Sequence, residues 1–447
     1  MTTLIRNATI INEGLSMVGS VHVVGERIQA IFPSGAPLPE AEMTIDATGK
    51  WLIPGVIDDQ VHFREPGALH KGCIATESAA AVAGGVTSFL DMPNNHPPCC
   101  SIPLLNDKYQ IAAANSYANF AFYLGASHDN IEEIKKIDPN RVPGVKVFLG
   151  SSTGNMLVEQ EDVLEKIFKE SHVLIATHCE EESIIHQNLE EAKVKYGDSI
   201  PPEQHPIIRS REACITSTKK AIEQALKHKN RLHILHITTK EEVEILAQAS
   251  AKSPLISGEI CVHHLFFSDN DYKTYGNLIK CNPAIKAAED RDALRRAVQN
   301  GIVKVVATDH APHTWEEKQQ PYLQSPSGLP LIQYSLPLML GMAMEGIFTP
   351  EQVVVSLCHA PAELFGVVER GFIREGYYAD LVLLNPKIPA NTSQPALLYQ
   401  CGWSPLTNVQ IPISVSHTFV NGQSAYSAEK GVSKHRYAKP LRFHPNS

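Results

Sequence analysis

Eight short apolar runs in the middle of the chain limit the fold more than any other feature of the sequence. Most are rich in β-branched or aromatic residues, and each has the length of a buried strand. Between most of them lie stretches with helical character, such as residues 76–83, 161–170 and 217–228, and one longer connection holds an extra helix near 180–195. The eight runs are residues 55–58, 87–90, 120–124, 145–149, 173–176, 233–236, 259–262 and 303–307.

This alternation of strands and helices predicts an α/β fold with a parallel sheet, because parallel strands need crossover connections that are usually helical. Eight such units predict a (β/α)8 barrel of the TIM type. A doubly wound open sheet is the alternative. We favour the barrel because no glycine-rich dinucleotide-binding turn follows the first strand.

The two ends of the chain share a residue pattern that differs from that of the middle. Short β-rich runs lie at residues 4–5, 9–11, 21–24 and 28–31, and similar runs return at 379–384 and 417–422. We therefore expect a small β-sandwich domain built from both termini. The predicted organisation is residues 1–53 for its N-terminal part, 54–365 for the barrel and 366–447 for its C-terminal part.

Composition excludes several classes of protein. The 447 residues carry a formal net charge of −9, which argues against a basic surface for nucleic acid over the whole molecule. No apolar run reaches the length of a membrane span, and the first residues do not resemble a secretory signal. The nine scattered cysteines include no CxxC pair, which favours reduced thiols and a cytoplasmic location.

Chemistry-bearing side chains follow or lie within several of the predicted strands. Since active sites of such barrels form at the carboxyl ends of the strands, these side chains should meet there. Lys146 stands out because a buried ammonium between Val145 and Val147 is costly unless it is paired or chemically altered. Carbamylation would convert it into an anionic group that can bridge two cations, and with the other residues it forms a donor set suited to zinc. The candidate ligands are His62, Lys146, His178, His236 and Asp309.

Each of these residues also has a structural interpretation. A histidine at a strand end is often only hydrogen-bonded, Lys146 could point outward into a surface ion pair, and Asp309 could cap a helix. Their coincidence at one rim of one barrel favours metal chemistry. Histidines that do not share this position at the barrel rim are interpreted as structural. They are His22, His70, His128, His172, His186, His228, His263 and His264.

Three motifs in a fixed order carry a family resemblance. Residues 61–67 read VHFREPG, residues 91–95 read DMPNN and residues 307–313 read ATDHAPH. Together with the lysine in the fourth strand they resemble the dihydroorotases of the amidohydrolase superfamily, which also contains hydantoinases and allantoinases. The resemblance covers nearly the whole chain. Residues 44–55 and 374–381 are similar to the flanking sandwich of that family.

The resemblance implies a zinc-dependent enzyme with one or two zinc ions. It would interconvert N-carbamoyl-L-aspartate and L-dihydroorotate in de novo pyrimidine (UMP) synthesis. It implies that His62, Lys146 and Asp309 bind a first metal, that Lys146, His178 and His236 bind a second, and that Asp309 is also the catalytic acid and base. The implied substrate-binding residues are Arg64, Asn94 and His313 for the carboxylate, and Asn282, Ser327 and Gly328 for the ring amides.

Some positions depart from the family pattern and keep alternatives open. Gln60 stands where the family usually has a first histidine, Asn95 where many members have threonine, and Ser327 where bacterial relatives often have phenylalanine. Gln60 permits a non-catalytic protein that scaffolds aspartate transcarbamoylase, and an allantoinase or hydantoinase is the nearest enzymatic alternative. Arg64 favours a substrate with a carboxylate, although it could instead form an ion pair with Glu65. Beyond the small-molecule substrate, we expect a homo-oligomer, with aspartate transcarbamoylase as a further candidate partner.

Overall fold

The centre of the molecule is a closed ring of parallel strands. The structure is a computed structural model that describes residues 1–151, 156–158, 160–393 and 396–444. Strands β6 to β8 pair in order, and β9 to β14 pair in order. The ring closes because β9 follows β8 after one residue and because Val61 bridges His310 in parallel just beyond β14. The strands are β6 Val56–Val61, β7 Val86–Asp91, β8 Asn119–Phe122, β9 Leu124–Gly125, β10 Gly144–Phe148, β11 Leu174–His178, β12 Leu232–Ile234, β13 Ile256–Cys261 and β14 Val305–Ala307.

These strands confirm the α/β prediction and its TIM-type ring, and the open-sheet alternative is wrong. Counting β8 and β9 as one position, eight strand positions follow one another around the ring, as the eight apolar runs predict. All five residues of β10 are buried, because one face meets the barrel interior and the other meets the surrounding helices. A lysine in such a strand is therefore enclosed by protein.

Helices surround the ring and connect its strands. In α4 the buried residues Leu164, Ile167 and Phe168 lie on one face, while Glu161 and Asp162 occupy the first turn, where carboxylates interact favourably with the helix dipole. The helices are α1 Ile74–Ala83, α2 Ile102–Asn115, α3 Ile131–Ile134, α4 Glu161–Glu170, α5 Glu182–Tyr196, α6 His205–Ile208, α7 Arg211–His228, α8 Lys240–Lys252, α9 Val262–Phe266, α10 Tyr272–Tyr275, α11 Ala288–Gln299, α12 Trp315–Lys318, α13 Ser335–Met344, α14 Pro350–Val354 and α15 Ala360–Phe365.

The predicted helices agree with these bounds to within two residues except at one start. The extra helix between the fifth and sixth strand positions is present as α5. Helix α7 begins at Arg211, six residues before the predicted start at 217. It begins there because the Ser210 hydroxyl accepts a hydrogen bond from the Ala213 amide and caps the first turn.

Both ends of the chain join in one sheet of nine strands. Strand β5 joins the two ends, since it pairs in parallel with β1 and antiparallel with β15. Two runs predicted as separate strands form the single long strand β1, which carries an irregularity between Ile5 and Ala8. The strands are β1 Thr2–Asn12, β2 Leu15–Val24, β3 Arg27–Pro33, β4 Met43–Asp46, β5 Trp51–Pro54, β15 Leu381–Asn385, β16 Ser414–Val420, β17 Gln423–Ser427 and β18 Gly431–Val432.

A sheet shared by the two termini agrees with the predicted common module. Its arrangement as a two-layered sandwich and the boundaries at 53/54 and 365/366 stay predictions. Within the described residues, no helix combines the length and the apolarity that crossing a bilayer requires.

Candidate functional site

A cleft opens at the carboxyl ends of the barrel strands and encloses about 490 Å³. Ten of the predicted site residues line it, and His313 lies immediately behind Arg64. The spacing of these residues along the chain is irregular, so only the closed ring brings them together. The lining residues are Gln60, His62, Arg64, Asn94, Lys146, Phe148, Ser151, His178, His236, Asn282, Asp309, Ala311, Ser327 and Gly328.

His178 and His236 face each other across one side of the cleft. The Nδ1 atom of His178 lies 3.0 Å from the Nε2 atom of His236. On its far side, the His178 Nε2 atom lies 2.8 Å from a carboxylate oxygen of Glu180, to which it donates. The Nδ1 atom of His178 therefore presents a lone pair toward His236. Burial lowers the pKa of both histidines, so the neutral forms that bind metals predominate at neutral pH.

Glu180 is a functional neighbour that the sequence analysis did not identify. It is fully buried and contacts Ser151 Oγ at 3.1 Å and Arg209 Nη1 at 2.5 Å. Burial opposes its charge, but Arg209 and His178 outweigh this and keep the pKa of Glu180 well below its usual value. An ionised carboxylate behind a histidine fixes the ring and its tautomer. The sequence did contain one indication of this role. Glu180 lies two residues after His178, and alternate residues of an extended chain lie on the same face.

His62, Asp309 and Gln60 meet on the other side of the cleft. His62 Nδ1 lies 2.7 Å from Asn94 Oδ1, so this nitrogen carries the proton. His62 Nε2 lies 3.0 Å from Asp309 Oδ1, an arrangement that needs either a second proton or a cation between them. Gln60 donates its side-chain amide to the same Asp309 oxygen at 3.2 Å. Burial opposes the charge of Asp309, yet the His62 contact keeps its pKa below the usual value.

Lys146 lies inside the barrel between these two groups of side chains. It is 1% exposed, which contradicts the alternative of a surface ion pair. Its Nζ atom lies 4.6 Å from the centre of the Phe148 ring, and no hydrogen bond or ion pair to this nitrogen is found within the described residues. Burial lowers its pKa to about 8. About a tenth of the amine would therefore be uncharged at pH 7, far more than for an exposed lysine, and this is the form that reacts with carbon dioxide.

Arg64 places a guanidinium group at the rim of the cleft. Its Nε donates to the Pro312 carbonyl at 3.0 Å, and its Nη2 lies 3.1 Å from His313 Nε2. The alternative ion pair with Glu65 is not formed, because Glu65 accepts the backbone amide of Ile74 at 2.8 Å. The remaining guanidinium donors are available to a ligand in the cleft.

Asn282 and the Ser327–Gly328 loop complete the opposite wall. Asn282 donates to Ser151 Oγ at 3.4 Å, while its own side-chain oxygen is buried without a hydrogen-bond partner in the described part of the chain. Gly328 has φ +146°, and a Cβ atom there would lie 2.4 Å from the Ala311 carbonyl oxygen. Only glycine therefore fits at this point of the wall.

The segment 322–328 contains proline, serine and glutamine residues that predict a mobile element, and two buried lysines donate hydrogen bonds to its backbone. Lys280 donates to the carbonyls of Tyr322 and Ser325, and Lys318 donates to those of Pro326 and Gly328. Its movement stays a prediction.

Four non-glycine residues of the cleft have positive φ angles. They are Arg64 at 67°, Ser151 at 56°, His236 at 41° and Asp309 at 47°. Such conformations are unfavourable for residues with a Cβ atom and persist where the surrounding structure requires them. Their concentration here supports a functional role for the cleft.

Two further buried clusters of potential metal ligands lie close by. One consists of Cys261, His263 and His264. In the other, His233 Nε2 lies 3.1 Å from Glu259 and 3.5 Å from Asp59, all fully buried. The sequence analysis assigned no role to either cluster, although carboxylates inside apolar strands were a visible signal.

Comparison with known proteins agrees with this geometry. The model of the amidohydrolase family matches residues 51–425. The chain therefore belongs to the amidohydrolase family and is a hydrolase, as the resemblance predicts.

Within that family its similarity is to the dihydroorotases. It is 31% identical to the dihydroorotase of Halobacterium salinarum over 416 residues. The alignment covers 92% of this chain and 94% of that protein. It is 29% identical to that of Methanosarcina mazei, over 87% and 86% of the two chains.

Solved structures share the fold. The L-hydantoinase (dihydropyrimidinase) of Arthrobacter aurescens superposes with a TM-score of 0.92 at 24% identity, covering 98% of this chain and 99% of that one. The dihydropyrimidinase of Brevibacillus agri has a TM-score of 0.89 at 23% identity, over 98% of both chains. These likenesses establish the common architecture.

Proposed function

We propose that this enzyme is a dihydroorotase, which interconverts L-dihydroorotate and N-carbamoyl-L-aspartate in pyrimidine (UMP) synthesis. The observation that carries the proposal is the presence, in one cleft, of a metal-type donor set and a guanidinium group. Dihydroorotate combines a cyclic amide with a carboxylate, and it therefore needs both features. The similarity to dihydroorotases over most of the chain supports the same substrate.

We infer zinc as the cofactor, held by His62, Lys146, His178, His236 and Asp309. Two contacts in the cleft fit a cation. His178 Nδ1 and His236 Nε2 are 3.0 Å apart with a lone pair between them, and His62 Nε2 faces the Asp309 carboxylate at 3.0 Å. Nitrogen and oxygen donors of this kind suit zinc. When bound, zinc supplies Lewis acidity toward water and toward the substrate carbonyl.

Asp309 moves the proton in this mechanism. In the hydrolytic direction water forms a bond to the ring carbonyl carbon, the ring carbon–nitrogen bond breaks and the ring nitrogen gains a proton. Asp309, ionised because of its contact with His62, accepts a proton from water and delivers it to the departing nitrogen. The synthetic direction uses the same transfers in reverse.

The other residues bind and orient the substrate. Arg64, with Asn94 and with His313 behind it, would bind the substrate carboxylate, since a guanidinium group binds a carboxylate in a bidentate manner. Asn282, whose side-chain oxygen has no partner within the described residues, accepts a ring N–H. Ser327 would face the ring amides from the wall of the cleft, and Gly328, whose backbone N–H donates to the Lys280 carbonyl at 2.8 Å, keeps the wall clear of a side chain.

A substrate panel with metal analysis tests this function. We expect the purified protein to hydrolyse dihydroorotate and to turn over allantoin and hydantoin far more slowly, because neither of these has a ring carboxylate for Arg64. Faster turnover of allantoin or hydantoin would contradict the assignment. No turnover of any of them by protein with its full metal content would favour the scaffold for aspartate transcarbamoylase, which Gln60 keeps in question.

Gln60→His should raise both the zinc content and the activity. Gln60 offers an amide, which is a weaker zinc ligand than imidazole, and here it donates a hydrogen bond to Asp309. We therefore expect sub-stoichiometric or easily lost metal at the first site of the wild type. Equilibrium dialysis against graded zinc, followed by assay, compares the two proteins. Gln60→Asn, which keeps the amide but shortens the side chain, is the control and should gain neither.

Two tightly held zinc ions per wild-type chain at these sites would contradict a weak first site. A Gln60→His protein that holds two zinc ions and remains inactive would favour the scaffold.

The partners and location stay at the level of inference. All nine cysteines are free, which supports a reducing cytoplasmic location. A homo-oligomer, an association with aspartate transcarbamoylase and the two-layered arrangement of the terminal sheet are carried over from the family resemblance.

A further inference from the structure

A second group of metal-type donors lies outside the cleft, where β13 passes directly into α9. Cys261, His263 and His264 are all at least 97% buried, and one ligand atom from each lies within 4.8 Å of the others. None of the three lines the cleft. The short chain segment that carries them brings a thiol and two imidazoles together without any distant residue.

The ring nitrogens of this group lack the partners that buried polar atoms normally have. His264 Nε2 lies 3.1 Å from the Pro283 carbonyl oxygen, to which it donates, so its Nδ1 carries a lone pair. That Nδ1 atom has no hydrogen-bond partner among the described residues, and neither ring nitrogen of His263 makes a hydrogen bond of good geometry there, although the ring lies near the Thr308 carbonyl. Leaving such atoms unpaired in the interior is costly, and most buried polar atoms are paired.

A bound cation would account for these unpaired atoms. Burial lowers the pKa of His263 to about 4 and that of His264 further below its usual value, so both rings are neutral. The two ring centres are 4.1 Å apart with an angle of 46° between the planes. The hydrogen bond of His264 to a backbone carbonyl is the type of contact that orients a metal-binding histidine.

We propose that Cys261, His263 and His264 bind a zinc ion that is separate from the metal centre of the cleft. One sulfur and two imidazole nitrogens form a donor set of the borderline-soft kind that zinc prefers. On binding, the Cys261 thiol would lose its proton to solvent and the thiolate sulfur would bond to the metal.

The proposed site lies next to Gln60, the cleft residue that stands where the family usually has a histidine. The Cys261 sulfur lies 3.9 Å from Gln60 Oε1, and Gln60 Nε2 donates to Asp309. An ion at Cys261 would therefore hold the end of β13 beside the glutamine that replaces the family's histidine. The proposal does not depend on the substrate, since it rests on donors outside the cleft.

Cobalt substitution tests the proposal on the full-length protein. Metal-free wild type titrated with Co²⁺ should develop a near-ultraviolet sulfur-to-cobalt charge-transfer band, because Cys261 is a thiolate ligand whereas the proposed ligands of the cleft include no sulfur. The band should persist in the double variant His178→Ala, His236→Ala, which removes two of the five proposed cleft ligands. Cys261→Ser should lose the band and bind one cobalt ion fewer per chain.

Two control variants, each of which removes a different buried thiol, test whether the sulfur that binds the metal belongs to Cys261. Cys358→Ser removes a fully buried thiol that donates to the Pro54 carbonyl at 3.4 Å, and it should keep the band. Cys179→Ser removes the thiol next to His178, which donates to Thr177 at 3.2 Å, and it should also keep the band.

The absence of a charge-transfer band in the wild type would overturn the proposal without reference to any variant, so a poorly folding Cys261→Ser does not leave it undecided. A band that survives in Cys261→Ser, or one lost only in Cys179→Ser, would also overturn it. Turnover of dihydroorotate by the zinc form of the same preparations is measured separately. A missing charge-transfer band would then contradict the proposed Cys261 site, whereas missing turnover would contradict the proposed function.

Discussion

Lys146→Ala should lose its metal and about 10³-fold or more of its activity, since the cation supplies both Lewis acidity and activation of water. The physical reason lies in the strand. All residues of β10 are buried, the Lys146 amine has no hydrogen bond or ion pair in the described part of the chain, and burial lowers its pKa to about 8. We expect the amine to be carbamylated, which would give the proposed metal centre an anionic oxygen ligand.

Chemical rescue makes this prediction specific. Acetate or propionate added to Lys146→Ala can enter the space of the missing side chain and replace the carbamate oxygens, so part of the activity and of the zinc should return. Lys146→Arg is the matched control, because it keeps a positive charge, cannot be carbamylated and fills the space. It should be inactive and should not respond to the acids. Zinc content by mass spectrometry and turnover of dihydroorotate are measured on the same samples. Normal zinc content and normal turnover in Lys146→Ala would show that the lysine is structural.

Arg64→Met should lower kcat/KM for dihydroorotate by about 30-fold to 5,000-fold, which corresponds to the roughly 2–5 kcal/mol expected when a charge-assisted pair with the substrate carboxylate is lost. Methionine keeps much of the side-chain length without the charge. Zinc content should stay at the wild-type level, because Arg64 contacts Pro312 and His313 and no proposed metal ligand.

A neutral substrate isolates the role of the charge. Dihydrouracil has the same ring without the carboxylate, so whatever turnover the wild type shows with it should change little in Arg64→Met. Arg374→Met provides a control on the surface. Arg374 pairs with Glu13 at 2.5 Å, and both side chains are about two-fifths exposed. This variant should leave the kinetics unchanged. Unchanged kinetics of Arg64→Met with dihydroorotate would remove the main structural reason for preferring this substrate over allantoin.

The two predictions differ in what they test. Loss of metal in Lys146→Ala concerns the metal centre and holds for any amidohydrolase with a bridging lysine. Loss of dihydroorotate binding in Arg64→Met concerns the choice of substrate. An enzyme that fails the second test but passes the first would be a metal-dependent hydrolase of another cyclic amide.

The ring of strands and most of the candidate site could be predicted from the sequence. Buried parallel strands are apolar on both faces, so the eight runs were visible as continuous stretches, and Lys146 stood out because it interrupted one of them. The position of Asp309 after the eighth strand indicated a site residue, and the family resemblance of residues 61–67 implied the role of Arg64. These signals are local, which is why a single sequence displays them.

The pairing of side chains across strands was decided only by the tertiary structure. Glu180 orients His178, Asn94 accepts a hydrogen bond from His62, and Arg64 donates to the Pro312 carbonyl and does not pair with Glu65. None of these partners is fixed by spacing along the chain, because each contact joins atoms whose separation depends on strand stagger, loop path and rotamer.

The interpretation of His263 and His264 as structural residues shows the same limit. Their neighbours in sequence gave no sign of chemistry. In the folded chain both rings are buried, His264 donates to the Pro283 carbonyl, and a ligand atom of each ring lies within 4.8 Å of the Cys261 sulfur. The sequence shows which donors a chain contains. A donor needs a partner within the protein only after the chain has folded around it and excluded water.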